Sequence, residues 1–526
     1  MNNLLTSLNI KPFACLVLIL GLSINTSAQI AVRSDKKVLY AADKAFDYGD
    51  YLTAYNNYRM VYELYKSDER VNYNLGVCCY VIKKYRKFSQ EYFDKVSHES
   101  YPEVDYYLGI LNHLSRKFDE ARFHYKRYKN IGDRGEHTIE EIDDLIEKTN
   151  TAILFETIAK STVQIENFGP TINTKYDEYV PLIPADESFL LFTSRRPNKE
   201  RNDKDLMGDY FEDVYISYSN NGIWSNPEVL DTLINTSVHD ACTGLSANGE
   251  SMFLYRTNED IVSGDIYESY FDSTWSKPVK LGENVNSNGN AETSACYSAD
   301  GSVIFFSSNR PGGYGGKDLY RAKKLPNGTW SKPFNLGPKI NTPYNEDAPF
   351  MHHLGNKLYF SSQGHRNMGG YDVFVSTFDE YGNFTAPENL GYPVNTVGDD
   401  IFFVLNPSSN TGYLSSSRSG GYGGYDIYNV KFNTGEPPLS VYNLYVFDQA
   451  TNEVLTNVKM EVVDLKTNKM YGIYKSSKRT GKFLFITEPE REFRITIIAK
   501  GYETFTTNTV FLLSKNKRIF TLSKKN

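Results

Sequence analysis

Cysteine is scarce in this chain: five in 526 residues, with no C-x-x-C pair among them. Cys15 falls inside an N-terminal apolar run, which leaves Cys78, Cys79, Cys242 and Cys296. Neighbouring cysteines rarely bond each other, and unpaired spacing offers no nucleus for a zinc ribbon. The four are expected to be buried thiols, with a disulfide in an oxidising compartment as the alternative, and the fold is not expected to depend on one. A concentrated basic charge is also missing. The formal net charge is −7 with the two signs interspersed, which excludes the phosphate-neutralising face of a nucleic-acid binder. No apolar run after residue 24 is long enough for a transmembrane helix. The eight histidines form neither His-x-x-x-His nor His-Glu-x-x-His. No nucleophile elbow, phosphate loop or dinucleotide fingerprint occurs. These absences give the expectation that the chain is not an enzyme and carries no catalytic residue, cofactor or metal.

What is present begins with an export signal. Lys11 precedes the apolar stretch Pro12 to Ile24, and Thr26-Ser27-Ala28 supplies small residues at the cleavage point. Residues 1–28 are therefore expected to be a signal peptide, with Gln29 the new N-terminus. Cys15 lies within the run rather than after it, which disfavours lipidation.

Tyrosine is abundant, 41 residues, and its large amphipathic ring suits packed repeats. Three regions follow, each with its own period. Between 35 and 130, Tyr51, Tyr85 and Phe118 recur at 34 and 33 residues, as do Ala54, Phe88 and Ala121, and Tyr58, Tyr92 and Tyr125. Leu75-Gly76 recurs as Leu108-Gly109, and Gly49-Asp50-Tyr51 reads as the turn between paired helices. Thr138-Ile-Glu-Glu141 is a capping box that opens a final helix. This region, 35–155, resembles the tetratricopeptide repeat, an α-solenoid closed by a capping helix. The resemblance implies a groove for a peptide or protein, with Asn74 as the candidate grip and Tyr73, Lys83 and Asn112 as companions.

From 163 to 432 short alternating runs punctuated by Gly, Pro, Asn and Asp predict strands. One cassette recurs, best seen as Phe306-Ser-Ser-Asn-Arg310-Pro-Gly-Gly-Tyr-Gly-Gly-Lys-Asp318 and Tyr413-Leu-Ser-Ser-Ser-Arg418-Ser-Gly-Gly-Tyr-Gly-Gly-Tyr-Asp426. Its aspartates, Asp213, Asp265, Asp318, Asp372 and Asp426, are 52, 53, 54 and 54 residues apart. Calcium would need six to eight converging oxygens, and one aspartate per unit fits turn closure better. Arg310 and Arg418 are candidates for tying one unit to the next. A second cassette follows the first four copies: Trp224-Ser-Asn-Pro, Trp275-Ser-Lys-Pro, Trp330-Ser-Lys-Pro and Phe384-Thr-Ala-Pro. Leu-Gly…Asn steps then end at Asn286, Asn341 and Asn395. The fifth copy lacks this part, but Phe168-Gly169…Ile172-Asn173-Thr174 stands ahead of the first. The pattern resembles the TolB-type, WD-like β-propeller, with five blades closed by an N-terminal strand and six as the alternative.

After the linker Asn433 to Pro438, residues 440–526 alternate again and resemble a carboxypeptidase-regulatory-like β-sandwich, on Thr480-Gly-Lys-Phe-Leu-Phe485 and Gly501-Tyr502-Glu. The fold class expected is thus multidomain, α then β: tetratricopeptide α-solenoid, β-propeller, C-terminal β-sandwich. That order is similar to the PorE-type, OmpA-family envelope proteins of the type IX secretion and gliding machinery of Bacteroidota. The sequence ends at Asn526 without an OmpA-type segment. The resemblance implies an exported periplasmic scaffold or adaptor, associated with the outer membrane. Its implied partners are envelope proteins, an outer-membrane barrel or an OmpA-type anchor among them. The alternative is an exported propeller that binds a glycan or peptide.

Overall fold

The structure is a computed structural model that describes residues 34–131, 135–159, 161–198, 204–205, 207–220, 222–258, 263–378, 383–433, 439–512 and 517–525. The signal segment 1–28, Gln29 and most of the linker before 439 lie outside the described residues. The chain divides into two compact units. The first holds Met1–Asn112, Glu120–Ile142 and Lys204–Asp209; the second holds His113–Asp119, Asp143–Asp203 and Tyr210–Asn526.

The first unit is built from helices: α1 (residues 34–47), α2 (Tyr51–Tyr65), α3 (Glu69–Val81), α4 (Ser89–Phe93) and the greater part of α5 (Glu103–Leu114) and α6 (Phe118–Lys129). Gly49, at φ +77°, makes the turn into α2 in a conformation that favours glycine. Asp50 caps the helix by accepting from Thr53 N–H at 3.0 Å. The recurrent small residues are where helices meet. A Cβ on Gly76 would lie 2.4 Å from the Phe93 ring, and one on Gly109 would lie 2.3 Å from the Tyr125 ring. Ala54 and Ala121 are fully buried for the same reason. Between α3 and α4 the chain runs as a 3₁₀ turn, Lys83–Phe88, rather than a continuous helix. Lys83, Lys84, Arg86 and Lys87 crowd four cations into that turn, and like charges three and four residues apart oppose an α-helix.

Helix α7 (Ile139–Thr157) opens with reciprocal capping: Thr138 N–H donates to Glu141 at 2.8 Å and Glu141 N–H to Thr138 Oγ1 at 3.2 Å. Within the second unit its Ala152 and Phe155 pack on Met368, Val397 and Tyr392. No described helix is long and apolar enough to cross a membrane.

Among the described residues the second unit carries five antiparallel sheets of like topology. Their leading strands are Glu178–Leu182, Asp240–Leu245, Glu292–Tyr297, Glu346–Met351 and Asp400–Leu405. Each leading strand packs beside that of the next sheet, and the fifth packs beside the first, so the cycle closes. The fifth sheet takes its outer strand from the front of the chain: Val163–Asn167 pairs antiparallel with Asp426–Phe432. Trp275, Trp330 and Phe384 sit in the apolar clusters between successive sheets.

From Ser440 the chain forms two further sheets, of three and four strands, facing across one core of Tyr442, Leu444, Met460, Val462, Phe485, Phe493 and Ile495. One pairing there is parallel, Ser440–Asp448 with Lys517–Leu522.

Candidate binding surfaces and the polar joints of the sheets

The polar residues of the sheet cassettes are largely spent on holding the sheets together. After each sheet an asparagine side chain pairs with the backbone of that sheet's third strand, accepting from one N–H and donating to the same residue's carbonyl. Asn235 does so with Val214, Asn286 with Ile266, Asn341 with Leu319 and Asn395 with Val373, at 2.7 to 3.1 Å. The fifth joint is made by Asn173 with Ile427, both bonds 2.9 Å. A buried amide that meets one N–H and one carbonyl leaves neither unpaired.

A carboxylate opens each leading strand. Glu178, Asp240, Glu292, Glu346 and Asp400 are buried and accept from the backbone N–H of Thr174, Thr236, Ser287, Thr342 and Thr396 respectively. Four of them face an arginine: Arg196, Arg256, Arg310 and Arg418. Arg418 also donates to the carbonyls of Pro393 and Val394, and Arg310 to those of Asn284 and Val285, in the segment leading from the sheet before. The fourth sheet differs. His365 takes the arginine's place at the carbonyl of Ile340, 2.9 Å away, and among the described residues no cation pairs with Glu346. Burial pushes the Glu346 carboxyl up to about 7, against the pull of its Thr342 and Ser362 donors.

Three of the repeated aspartates, Asp318, Asp372 and Asp426, close their own turns, while Asp213 accepts from Asn198 and Asp265 from Lys280. Asp318 accepts from Tyr314 N–H at 2.7 Å and Gly315 N–H at 3.0 Å, and Asp426 from Tyr422 and Gly423 at 2.6 and 2.9 Å. Asp372 accepts from Met368 N–H. Tyr314 and Tyr422 are half exposed at their loop tips, whereas the equivalent Met368 is buried under α7.

The leading strands line a partly open cavity of about 50 Å³, with Leu182, Leu245, Cys296, Phe350, His353 and Val404 in its wall. His353 faces it, while His352 turns away to Ser409 Oγ at 3.0 Å. The four cysteines Cys78, Cys79, Cys242 and Cys296 are free and buried, and burial pushes the thiols of the last three up to about 12.

In the first unit the structure places the four groove candidates unequally. Asn74 is buried, its amide donating to Tyr58 Oη at 2.7 Å, while Tyr58 in turn donates to Asp43. Asn112 is buried too and donates to the Leu108 carbonyl of its own helix. Lys83 is exposed. Tyr73 is half-buried and stacks on Tyr101, centroids 4.8 Å apart. Only Tyr73 joins the feature that stands out, a contiguous row of half-buried tyrosines on α3 and α5. Tyr80 meets Tyr107 at 4.9 Å, Tyr107 meets Tyr106 at 5.4 Å and lies flat on Phe93, and Phe93 leads to Tyr73 at 6.4 Å. His137 stacks on Tyr106 at 3.6 Å. Burial holds the hydroxyls of Tyr73, Tyr106 and Tyr107 well above their ordinary pKa, so all three are neutral donors. The abundance of tyrosine hints at such packing, but no spacing in the sequence marks this row. The fold also gathers His98, Asp105 and His124, which no local motif announces.

Comparison with known proteins adds a fold-level likeness. No known protein family matches the chain, and no curated protein does. Among solved structures, a protein assigned as TolB from Agrobacterium tumefaciens is similar at 18% identity, over 51% of this chain and 97% of that one, with a TM-score of 0.27. The β-propeller domain of the Trilobed protease from Pyrococcus furiosus is similar at 9% identity, over 64% and 82%, with a TM-score of 0.25. An endo-arabinase from Bacteroides thetaiotaomicron is similar at 12% identity, over 51% and 97%, with a TM-score of 0.34. The similar structures thus include a TolB-like protein and a β-propeller domain. One sequence expectation is corrected here. The chain was expected not to be an enzyme, yet the similar structures include enzymes such as that arabinase, and the architecture gives no ground for excluding catalysis.

Proposed function

We propose that this protein is an exported scaffold or adaptor of a bacterial envelope that holds partner proteins through its helical array. In this reading 35–155 is a tetratricopeptide array and 163–432 a closed, five-bladed TolB-type propeller. Residues 440–526 form a regulatory-like sandwich. The location is the periplasm at the outer membrane, within a type IX secretion or gliding-related complex of the PorE kind. The partners are envelope proteins, a barrel or an OmpA-type anchor.

The observation that carries the reading is the tyrosine row Tyr73, Tyr80, Tyr106 and Tyr107. Tyrosine offers a large contact area at small entropic cost and is enriched where proteins bind each other. The five-fold recurrence of the asparagine joint, completed by Asn173, supports five blades.

The test is purification of the tagged protein from mildly crosslinked envelopes, beside a Tyr80→Ala, Tyr107→Ala variant. Envelope proteins that accompany the wild type and are depleted about tenfold or more with the variant are the expected result, since hot-spot aromatics cost about 2 kcal/mol or more on truncation. Equal recovery with both forms removes the row from the binding surface. Recovery of the protein alone ends the scaffold reading.

A further inference from the structure

Three segments of the first unit converge on one point. Asp105 stands in the first turn of α5, His124 on α6, and His98 in the turn that precedes α5. Asp105 Oδ1 lies 2.7 Å from His124 Nδ1 and 3.0 Å from His98 Nδ1. All three donor atoms lie within 4.8 Å of one another, and the two rings are nearly parallel, interplanar angle 10°.

Two features set this cluster apart from a surface ion pair. Asp105 is only 3% exposed, and its other oxygen is held by Arg127 Nε at 3.2 Å, so the carboxylate is fixed in orientation before any ligand arrives. The second feature is His98 Nδ1. It is buried and makes no hydrogen bond, although Asp105 Oδ1 lies 3.0 Å away. A buried nitrogen without a hydrogen bond is unfavourable in the fold, and a bound ligand would relieve that penalty.

We propose that His98 Nδ1, Asp105 Oδ1 and His124 Nδ1 bind a divalent transition metal of the zinc class. Ligands held about 2.0–2.1 Å from such an ion at tetrahedral or octahedral angles stand roughly 2.9–3.4 Å from one another, close to the spacing of this carboxylate oxygen from the two imidazole nitrogens. Two imidazoles with one carboxylate suit zinc and its neighbours, whereas calcium and magnesium require more oxygens than are gathered. Arg127 acts as the outer partner that orients the ligating carboxylate. His98 and His124 side chains are 21% and 16% exposed, which leaves the ion a way in and a fourth position for water or a partner's ligand. The ion would clip the turn at His98 to α5 and α6, stabilising the unit by mass action.

The test uses the full mature chain without a histidine tag, stripped with chelator, and titrated with Zn²⁺ by calorimetry. Co²⁺ absorption gives a second readout of coordination. The expected result is one saturable ion per chain, a tetrahedral or five-coordinate Co²⁺ spectrum and a raised unfolding temperature. His98→Ala, in a turn outside the helices, is expected to weaken binding by about tenfold or more while the far-ultraviolet circular dichroism is unchanged. His137→Ala, outside the cluster, is expected to bind as the wild type does. The proposal is overturned if the wild type shows no saturable binding, or if His98→Ala and wild type bind alike. The cluster is then only a buried carboxylate held by His124 and Arg127 with His98 beside it.

Discussion

Glu346 is the residue at which the repeat of the sheets changes chemistry. Its four counterparts each have a guanidinium; Glu346 has only hydroxyl and amide donors, and its carboxyl is raised to about 7. A raised carboxyl contributes stability that is present below its unfolded value near 4.5 and lost as pH climbs through 7. Glu346→Gln should therefore raise the denaturation midpoint at pH 8 and change it little at pH 5, measured by urea unfolding at both values. The asparagine joints carry the opposite sign at any pH. Asn341→Ala strands the N–H and carbonyl of Leu319 inside the protein, and a loss of about 2–4 kcal/mol is expected from two unpaired groups, measured the same way. Alanine at the exposed Asn327 is the control. Neither effect was legible in the sequence to the same degree. The asparagines recur visibly, but the missing cation at Glu346 is hidden because Gly364-His365 shifts the cassette by one residue.

Among elements, the paired helices of the first unit owe their closeness to Gly76 and Gly109. On an isolated helix Gly→Ala stabilises by up to about 1 kcal/mol. Here the sign reverses: the added methyl meets Phe93 or Tyr125 at well under contact distance, and overpacking costs about 1–3 kcal/mol. Gly109→Ala should thus lower the melting temperature, while Gly109→Ala with Tyr125→Leu should recover part of the loss. These positions were readable because a recurring Leu-Gly at a 33-residue step marks a packing site. The 3₁₀ turn at Lys83–Phe88 was not, since the periodic aromatics Tyr85 and Phe88 persist through it. The tyrosine row and the His98 cluster were equally hidden. Both depend on which side of α3, α5 and α6 faces which neighbour, and no local spacing records that.

At the scale of the whole molecule the second unit stores neutral histidines. Burial lowers His113 to about 4, His352 to about 3 and His353 to about 4. His113 is held at both nitrogens, 3.0 Å from Thr149 Oγ1 and donating to the Met368 carbonyl at 2.8 Å. A histidine depressed in the folded state takes up protons first in the unfolded one, so stability falls as pH drops from about 6.5 towards 4. His113→Gln should reduce that fall by on the order of 1–3 kcal/mol, measured as the difference in unfolding free energy between pH 7 and pH 4.5 for both proteins.

The pairing of Val163–Asn167 with the last sheet also sets an order of events during synthesis and export. Asn167 meets Asp426 across 259 residues, so the strand made first waits for almost the last piece of its partner sheet. A chain that emerges residue by residue holds Val163, Ile165 and Phe168 uncovered for the whole of that interval. This segment must therefore be kept from pairing elsewhere until the fifth sheet has arrived, and a translation arrest before residue 426 leaves four sheets and part of a fifth with no lock.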